Sequence, residues 1–143
     1  MTTNVPFLTE EQKKARLEWA EALKSGSFAQ GQSHMLVERC DGTKTYCCLG
    51  VAGTIFDGEF AHLSTDGDYT AYGLFEDLGD DNNTTWTDYL PEDLIQKLGM
   101  TDDETYACVH LNDTKRWDFD AIGDVVERSA VEDRPINKIV NYS

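Results

Sequence analysis

The sequence predicts an α+β fold: a small antiparallel sheet built on a 33–49 hairpin, packed by an N-terminal helix and two later helices. Three observations predict it. A capped amphipathic stretch runs from Thr9 to Gly26. Two β-prone runs then flank Asp41-Gly42, a strong hairpin signal. Two later stretches, opening at Pro91 and Asp118, carry helix start signals ahead of apolar stripes. The 143 residues suit one domain, 1–143, and a hydrophobic content of 40% is ordinary for a globular core.

Residues 1–8 read as a loose arm. Thr9-Glu10-Glu11-Gln12 then fits a capping box, in which the Thr9 hydroxyl and the Gln12 side chain satisfy each other's backbone N–H. Ala15, Trp19, Ala22 and Leu23 share one face, and Gly26 suits a left-handed stop. Residues 33–40 and 44–49 read as two antiparallel strands, with Met35 and Val37 on one face and Tyr46 and Cys48 on one face of the partner. The Gly-spaced apolar run 49–56 reads as a short buried helix packed closely on another element, with a strand as the alternative.

From 57 to 85 the chain reads as loop-rich, punctuated by Asp57-Gly58, Asp66-Gly67 and 79–83, with room for a second short hairpin. Pro91, followed by Glu92 and Asp93, opens a helix over Leu94, Ile95 and Leu98 that Gly99 ends. The run 106–111 reads as a strand, and Asn112-Asp113 as a turn. Asp118 caps a last helix with Phe119, Ile122, Val125 and Val126 on its buried stripe. A short tail follows, 135–143, in which Ile136, Ile139 and Val140 can dock.

The charge is segregated. Residues 57–104 hold fourteen acids and one base, Lys97, for a net −13. Residues 1–56 sum to zero and residues 105–143 to −2, which completes the −15 of the chain. Such a field repels nucleic acid and anionic membrane and attracts basic protein surfaces. No apolar run approaches the roughly 20 residues that span a bilayer. The first residues lack the basic and apolar regions of a signal peptide. The setting expected is cytosolic, with Cys40, Cys47, Cys48 and Cys108 as reduced thiols.

Three stretches carry a resemblance. They are Trp19 to Gly26 followed by Gln30-Gly31, then Tyr46-Cys47-Cys48-Leu49-Gly50-Val51, and Leu111-Asn112-Asp113 followed by Phe119 through Ile122 to Glu127, with Leu90-Pro91 through Leu98-Gly99 between. The combination resembles small uncharacterised accessory proteins of tailed bacteriophages that carry a YCCLGV motif. The resemblance implies a phage accessory protein acting in an infected bacterial cytoplasm. It supplies no catalytic residues.

Several chemistries fit the residue types. Cys108 and His110 on a strand would face one way, and Cys40 or Cys47 could complete a zinc site. But adjacent Cys47 and Cys48 on a strand point apart, and Cys40-x6-Cys47 is not a zinc-knuckle spacing. Buried thiols that act as small hydrophobes are the plainer reading. A Cys-dependent enzyme would pair Cys47 or Cys48 with a histidine, His34 across the hairpin offering the best geometry, yet the apolar surroundings raise a thiol pKa. An EF-hand beginning at Asp80 fails, since position 6 is Thr85 and position 12 is Pro91.

No phosphate-cradling glycine loop is present. A small-molecule binder that sequesters a nucleotide signal would draw on Arg39, Lys115, Arg116 and Trp117, combining forked anion contacts with a stacking ring. The reading adopted is a non-enzymatic protein without a cofactor that binds a basic host protein such as a nuclease, polymerase or defence component. Glu76, Asp77, Asp80, Asp81, Asp88, Glu92 and Asp93 supply steering, and Tyr72, Phe75 and Trp86 the apolar anchors. Carboxylates at such spacing could also imitate the charge array of DNA; a diffuse solvated surface is the plainer alternative.

Overall fold

The computed structural model describes residues 6–32, 34–58, 60–77, 84–87 and 90–140. The fold is α+β, as the sequence predicts. Helix α1 spans Glu10–Lys24 and begins at the expected capping box: Thr9 Oγ1 accepts from Gln12 N–H at 3.1 Å, and Gln12 Oε1 from Thr9 N–H at 2.9 Å. Gly26, at φ +77°, supplies the left-handed turn after the helix. Strands β1 (Leu36–Arg39) and β2 (Lys44–Tyr46) form the hairpin about Asp41-Gly42, where Asp41 accepts from both the N–H and the hydroxyl of Thr43.

The hairpin is shorter than expected. Cys47 and Cys48 leave the strand, and α2 (Cys48–Ile55) follows at once with Cys47 as its N-cap. The close packing expected of this run is present. A Cβ on Gly50 would lie 1.9 Å from Met35 O, and one on Gly53 2.8 Å from Leu74. Only glycine lets the helix backbone approach that far.

The loop-rich reading of 57–85 is corrected. Strands β3 (Phe60–Asp66), β4 (Tyr69–Asp77) and β5 (Thr84–Thr87) occupy much of it. The Asp66-Gly67 signal is the turn of the β3–β4 hairpin, with Asp66 opposite Tyr69 and Gly67 at φ +57°, which a two-residue hairpin loop favours. The strand order is β2-β1-β4-β3, all antiparallel, with β5 also on β4. Tyr72 pairs with both His62 and Leu36, and Leu74 with both Phe60 and Thr87. Strands β1 and β5 therefore share one edge of β4, and β3 takes the other. The many acids hid the strands, because backbone ladders and a half-exposed face tolerate polar side chains.

Helix α3 (Glu92–Leu98) starts one residue later than expected, with Pro91 as its cap, and ends at Gly99 with φ +65°. The expected strand at 106–111 is also corrected. Helix α4 covers Asp102–Val109, and a π-helical turn, His110–Thr114, continues it. The overlooked signal is Thr101-Asp102-Asp103-Glu104, a second capping box, whose Thr101 Oγ1 accepts from Glu104 N–H at 3.1 Å. Helix α5 (Phe119–Glu132) is capped by Asp118 as expected and buries Phe119, Ile122, Val125 and Val126. The short α6 (Ile136–Ile139) docks the tail through Ile136 and Val140.

The end of the expected loose arm is fixed. Leu8 is buried, and the Phe7 and Leu8 N–H groups donate to Asp133 at 3.0 and 2.7 Å. Helices α1 and α5 pack antiparallel, since Arg16 meets Ser129 while Lys24 meets Asp124 and Glu127. Helix α2 lies between α1 on one side and β2 and β4 on the other. Trp19, Leu49, Val51, Leu74, Leu98, Leu111 and Ile122 form one continuous core across these layers.

Candidate functional site

Two buried polar centres and a set of exposed carboxylates hold the chemistry-bearing residues. The first centre is the ion pair of Arg16 and Glu104, both fully buried. Arg16 projects from the apolar face of α1. Its guanidinium makes a forked contact with Glu104 at 2.6 and 2.9 Å and donates to Leu98 O, Gly99 O and Ser129 Oγ. Glu104 also accepts from Thr101 N–H at 3.0 Å and Ile136 N–H at 2.9 Å. The Phe7 ring lies over the guanidinium at 5.5 Å. Five elements are thus tied to one pair, and its lone pairs and protons are well satisfied, the condition under which a buried ion pair is tolerated. Its role is structural.

The second centre joins the three stretches of the sequence resemblance. Trp19 Nε1 donates to Cys48 O at 2.9 Å, and Asn112 Oδ1 accepts from Cys48 N–H at 3.2 Å. Gln30 Nε2 donates to Asn112 Oδ1 and to Trp117 O, and Asn112 Nδ2 donates to Gly31 O and Asp113. Asn112 therefore caps α2 from the π-helical turn, which Cys47, the N-cap residue, does not do with its own side chain. Read locally, Asn112-Asp113 is a turn signal, and nothing near it in the sequence marks the amide as a cap.

Cys48 lies at the middle of that centre. Hydrogen bonding with Cys108 and complete burial push its thiol well above the ordinary value. A thiol so placed is not an activated nucleophile. Cys47 and Cys108 are buried as well, while Cys40 is exposed. Cys108 stands on α4 and His110 in the π-helical turn, so the strand geometry expected of a Cys-x-His pair does not arise. Among the described residues no group of three or more His, Cys, Asp or Glu is placed to hold a metal ion. The hairpin does bring His34 and Cys47 to one corner, where Cys47 N–H donates to Met35 O at 3.3 Å.

The residues that a nucleotide-binding reading would draw on are split. Arg39 ends β1, in an open groove of about 340 Å³ that it shares with Cys40, Gly67, Asp68, Tyr69 and Thr70. Trp117 is held through its carbonyl by Gln30, whose bridge to Tyr46 lies level with Leu36, at the opposite end of the hairpin. Lys115 and Arg116 are exposed beside Trp117.

Of the expected partner-binding residues, Asp80, Asp81 and Asp88 lie outside the described residues. Phe75, Glu76 and Asp77 lie on β4 and Trp86 on β5, with Phe75 and Trp86 directly opposite in register. Tyr72 is half-buried, its hydroxyl 3.5 Å from Glu38. Glu92 and Asp93 are exposed in the first turn of α3. Asp57, Asp68, Asp93, Asp102 and Asp103 are exposed, and among the described residues none of the five has a basic side chain within ion-pair distance. Lys97, the base of this segment, sits over the Phe56 ring at 5.0 Å.

The chain belongs to the family described as a domain of unknown function, DUF8296, whose model matches residues 11–130. The DUF8296 match spans most of α1 through most of α5, so the second centre and the Arg16–Glu104 pair fall inside it, while Phe7, Asp133 and α6, with Ile136, fall outside. No curated protein and no solved structure matches the chain. Among the described residues no helix is long and apolar enough to cross a membrane.

Proposed function

We propose that this protein is a non-enzymatic accessory protein of a tailed bacteriophage that acts in the infected host's cytoplasm, where it binds and inhibits a host protein through that protein's basic surface. The observation that carries the reading is the set of exposed carboxylates, Asp57, Asp68, Asp93, Asp102 and Asp103, with no base at ion-pair distance among the described residues, in the segment of net charge −13. Beyond the modest helix-start stabilisation of Asp93, Asp102 and Asp103, these carboxylates make no ion pair among the described residues. They raise the rate of encounter with a cationic surface and suppress wrong partners. A surface that otherwise receives DNA offers the matching array of Lys and Arg. The burial of Cys48 and the separation of Arg39 from Lys115, Arg116 and Trp117 make the enzymatic and nucleotide-binding readings weaker supports for function.

The test compares the wild type with a variant in which those five aspartates become asparagine. Both are used as bait in host lysate at about 50 and 500 mM salt, where the screening length falls from about 14 to 4 Å. A basic, DNA-binding protein retained by the wild type at low salt, displaced by added duplex DNA and lost with the variant is the expected result. Equal capture by both baits overturns the reading.

A further inference from the structure

We infer that residues 6–8 form a strap that Asp133 latches shut over the Arg16–Glu104 pair, and that this strap opens as a unit apart from the helical body. The attachment is concentrated. Asp133 Oδ2 accepts from Phe7 N–H at 3.0 Å and Oδ1 from Leu8 N–H at 2.7 Å, so one carboxylate holds two successive backbone donors. Asp133 ends α5 in the left-handed conformation at φ +56°, which aims its side chain back along the chain that enters α1. Beneath the strap lies the pair itself: the Phe7 ring covers the Arg16 guanidinium at 5.5 Å, and Leu8 fills the space beside Gly99, where an added Cβ would meet Leu8 Cδ2 at 2.9 Å. Arg16 and Glu104 are both fully buried in this closed state.

The strap is separable because α1 does not depend on it. The capping box of Thr9 and Gln12 closes the helix N-terminus without residues 6–8. Opening thus breaks two hydrogen bonds to one charged group and uncovers Phe7 and Leu8, while the α1–α5 contact stays intact. Local openings of this kind, below the cost of global unfolding, are the usual source of sub-global motion. In the open state water reaches one face of the guanidinium, and the sealed ion pair becomes a half-hydrated one.

The backbone at Asp133 makes a clean test possible. Asp133→Gly keeps the left-handed geometry at no steric cost and removes both acceptor oxygens. Asp133→Asn also tolerates that geometry and retains one oxygen able to accept. The readout is chymotryptic cleavage after Phe7 in the full chain, measured beside hydrogen exchange of the α5 amides. The expected result is faster cleavage in the order wild type, Asn, Gly, about tenfold or more for Gly, with α5 protection unchanged. Two results overturn the inference: cleavage unaltered in Asp133→Gly, or α5 protection falling in step with cleavage, which would make the segment part of the global fold.

Discussion

Lys24 sits between Asp124 and Glu127 at 2.9 and 2.8 Å, and Glu132 between Arg128 and Arg134 at 2.8 and 3.0 Å. In residues 57–104, by contrast, Asp57, Asp68, Asp93, Asp102 and Asp103 face solvent with no base in reach among the described residues. Glu104, in the same segment, differs: it is buried, and Arg16 meets it. The matched charges at Arg16 and Lys24 join helices to one another, whereas Asp93, Asp102 and Asp103 meet only the positive ends of their own helices. The difference teaches that the acidic surplus is not a by-product of stability. Like charges held close destabilise a compact state, so a net charge of −13 in a single segment is a cost to the fold that the pair of Glu104 with Arg16 offsets only in part.

The sharpest way to break this comparison is to remove the base from the buried pair. Arg16→Met should cost about 3–5 kcal/mol, since it leaves the Glu104 carboxylate buried without its cation. Urea denaturation measures it, and a loss below about 1 kcal/mol would mean that matched charge does not hold the helices together. An uncharged site sharpens the same contrast. Asn112→Ala leaves the Cys48 N–H and Gly31 O without their partner and should cost about 2–4 kcal/mol. The urea midpoint should fall while the slope stays constant.

The smallest expected effect comes from the surface pairs. Hydrogen bonds from Lys24 to Glu127 and then to Asp124 hold its pKa above 10.5. Its contribution is therefore complete below 10.5 and lost as the pH rises through the higher folded value. Glu132, held below 4.5 by Arg128 and Arg134, contributes above 4.5 and loses that contribution as the pH falls through its lower folded value. In Lys24→Met, thermal stability between pH 10 and 12 should decline less steeply than in the wild type. Identical slopes would show that these surface pairs contribute nothing measurable, as exposed pairs often do.

Much of this architecture is legible in the residues alone, and what is not has identifiable causes. Thr9, Asp41-Gly42, Gly99 and Asp118 act through their own side chains or backbone freedom within a few positions, so each is read correctly without knowledge of the fold. The run Tyr106 to Leu111 is apolar at every period, and only the capping box at Thr101 distinguishes helix from strand there. Strands β3 to β5 carry Thr, Gly and acids, and their stability comes from pairing with β4, which is long-range and leaves little local pattern.

The candidate site divides in the same way. The excess of acid is plain in the composition, whereas the buried ion pair requires knowing which carboxylate meets Arg16 across 88 positions. One clue was available: Arg16 lies beside Ala15, Trp19, Ala20 and Leu23, where a base has no solvent to face. For Asn112 there is none, because Gln30, Gly31 and Cys48, its partners besides the adjacent Asp113, lie 64 to 82 positions away.

The π-helical turn at His110–Thr114 sets the rotational phase of everything after α4. Each residue of an ordinary helix advances the chain by about 100°. Shortening this turn by one position would swing the Asn112 amide by about that angle. Cys48 would then lose its cap, and the indole of Trp19 would be hydrogen-bonded to a helix whose first turn is unanchored. Chain length between Thr101 and Asp118 is thus fixed by geometry rather than by composition, and this stretch should accept substitutions far more readily than indels.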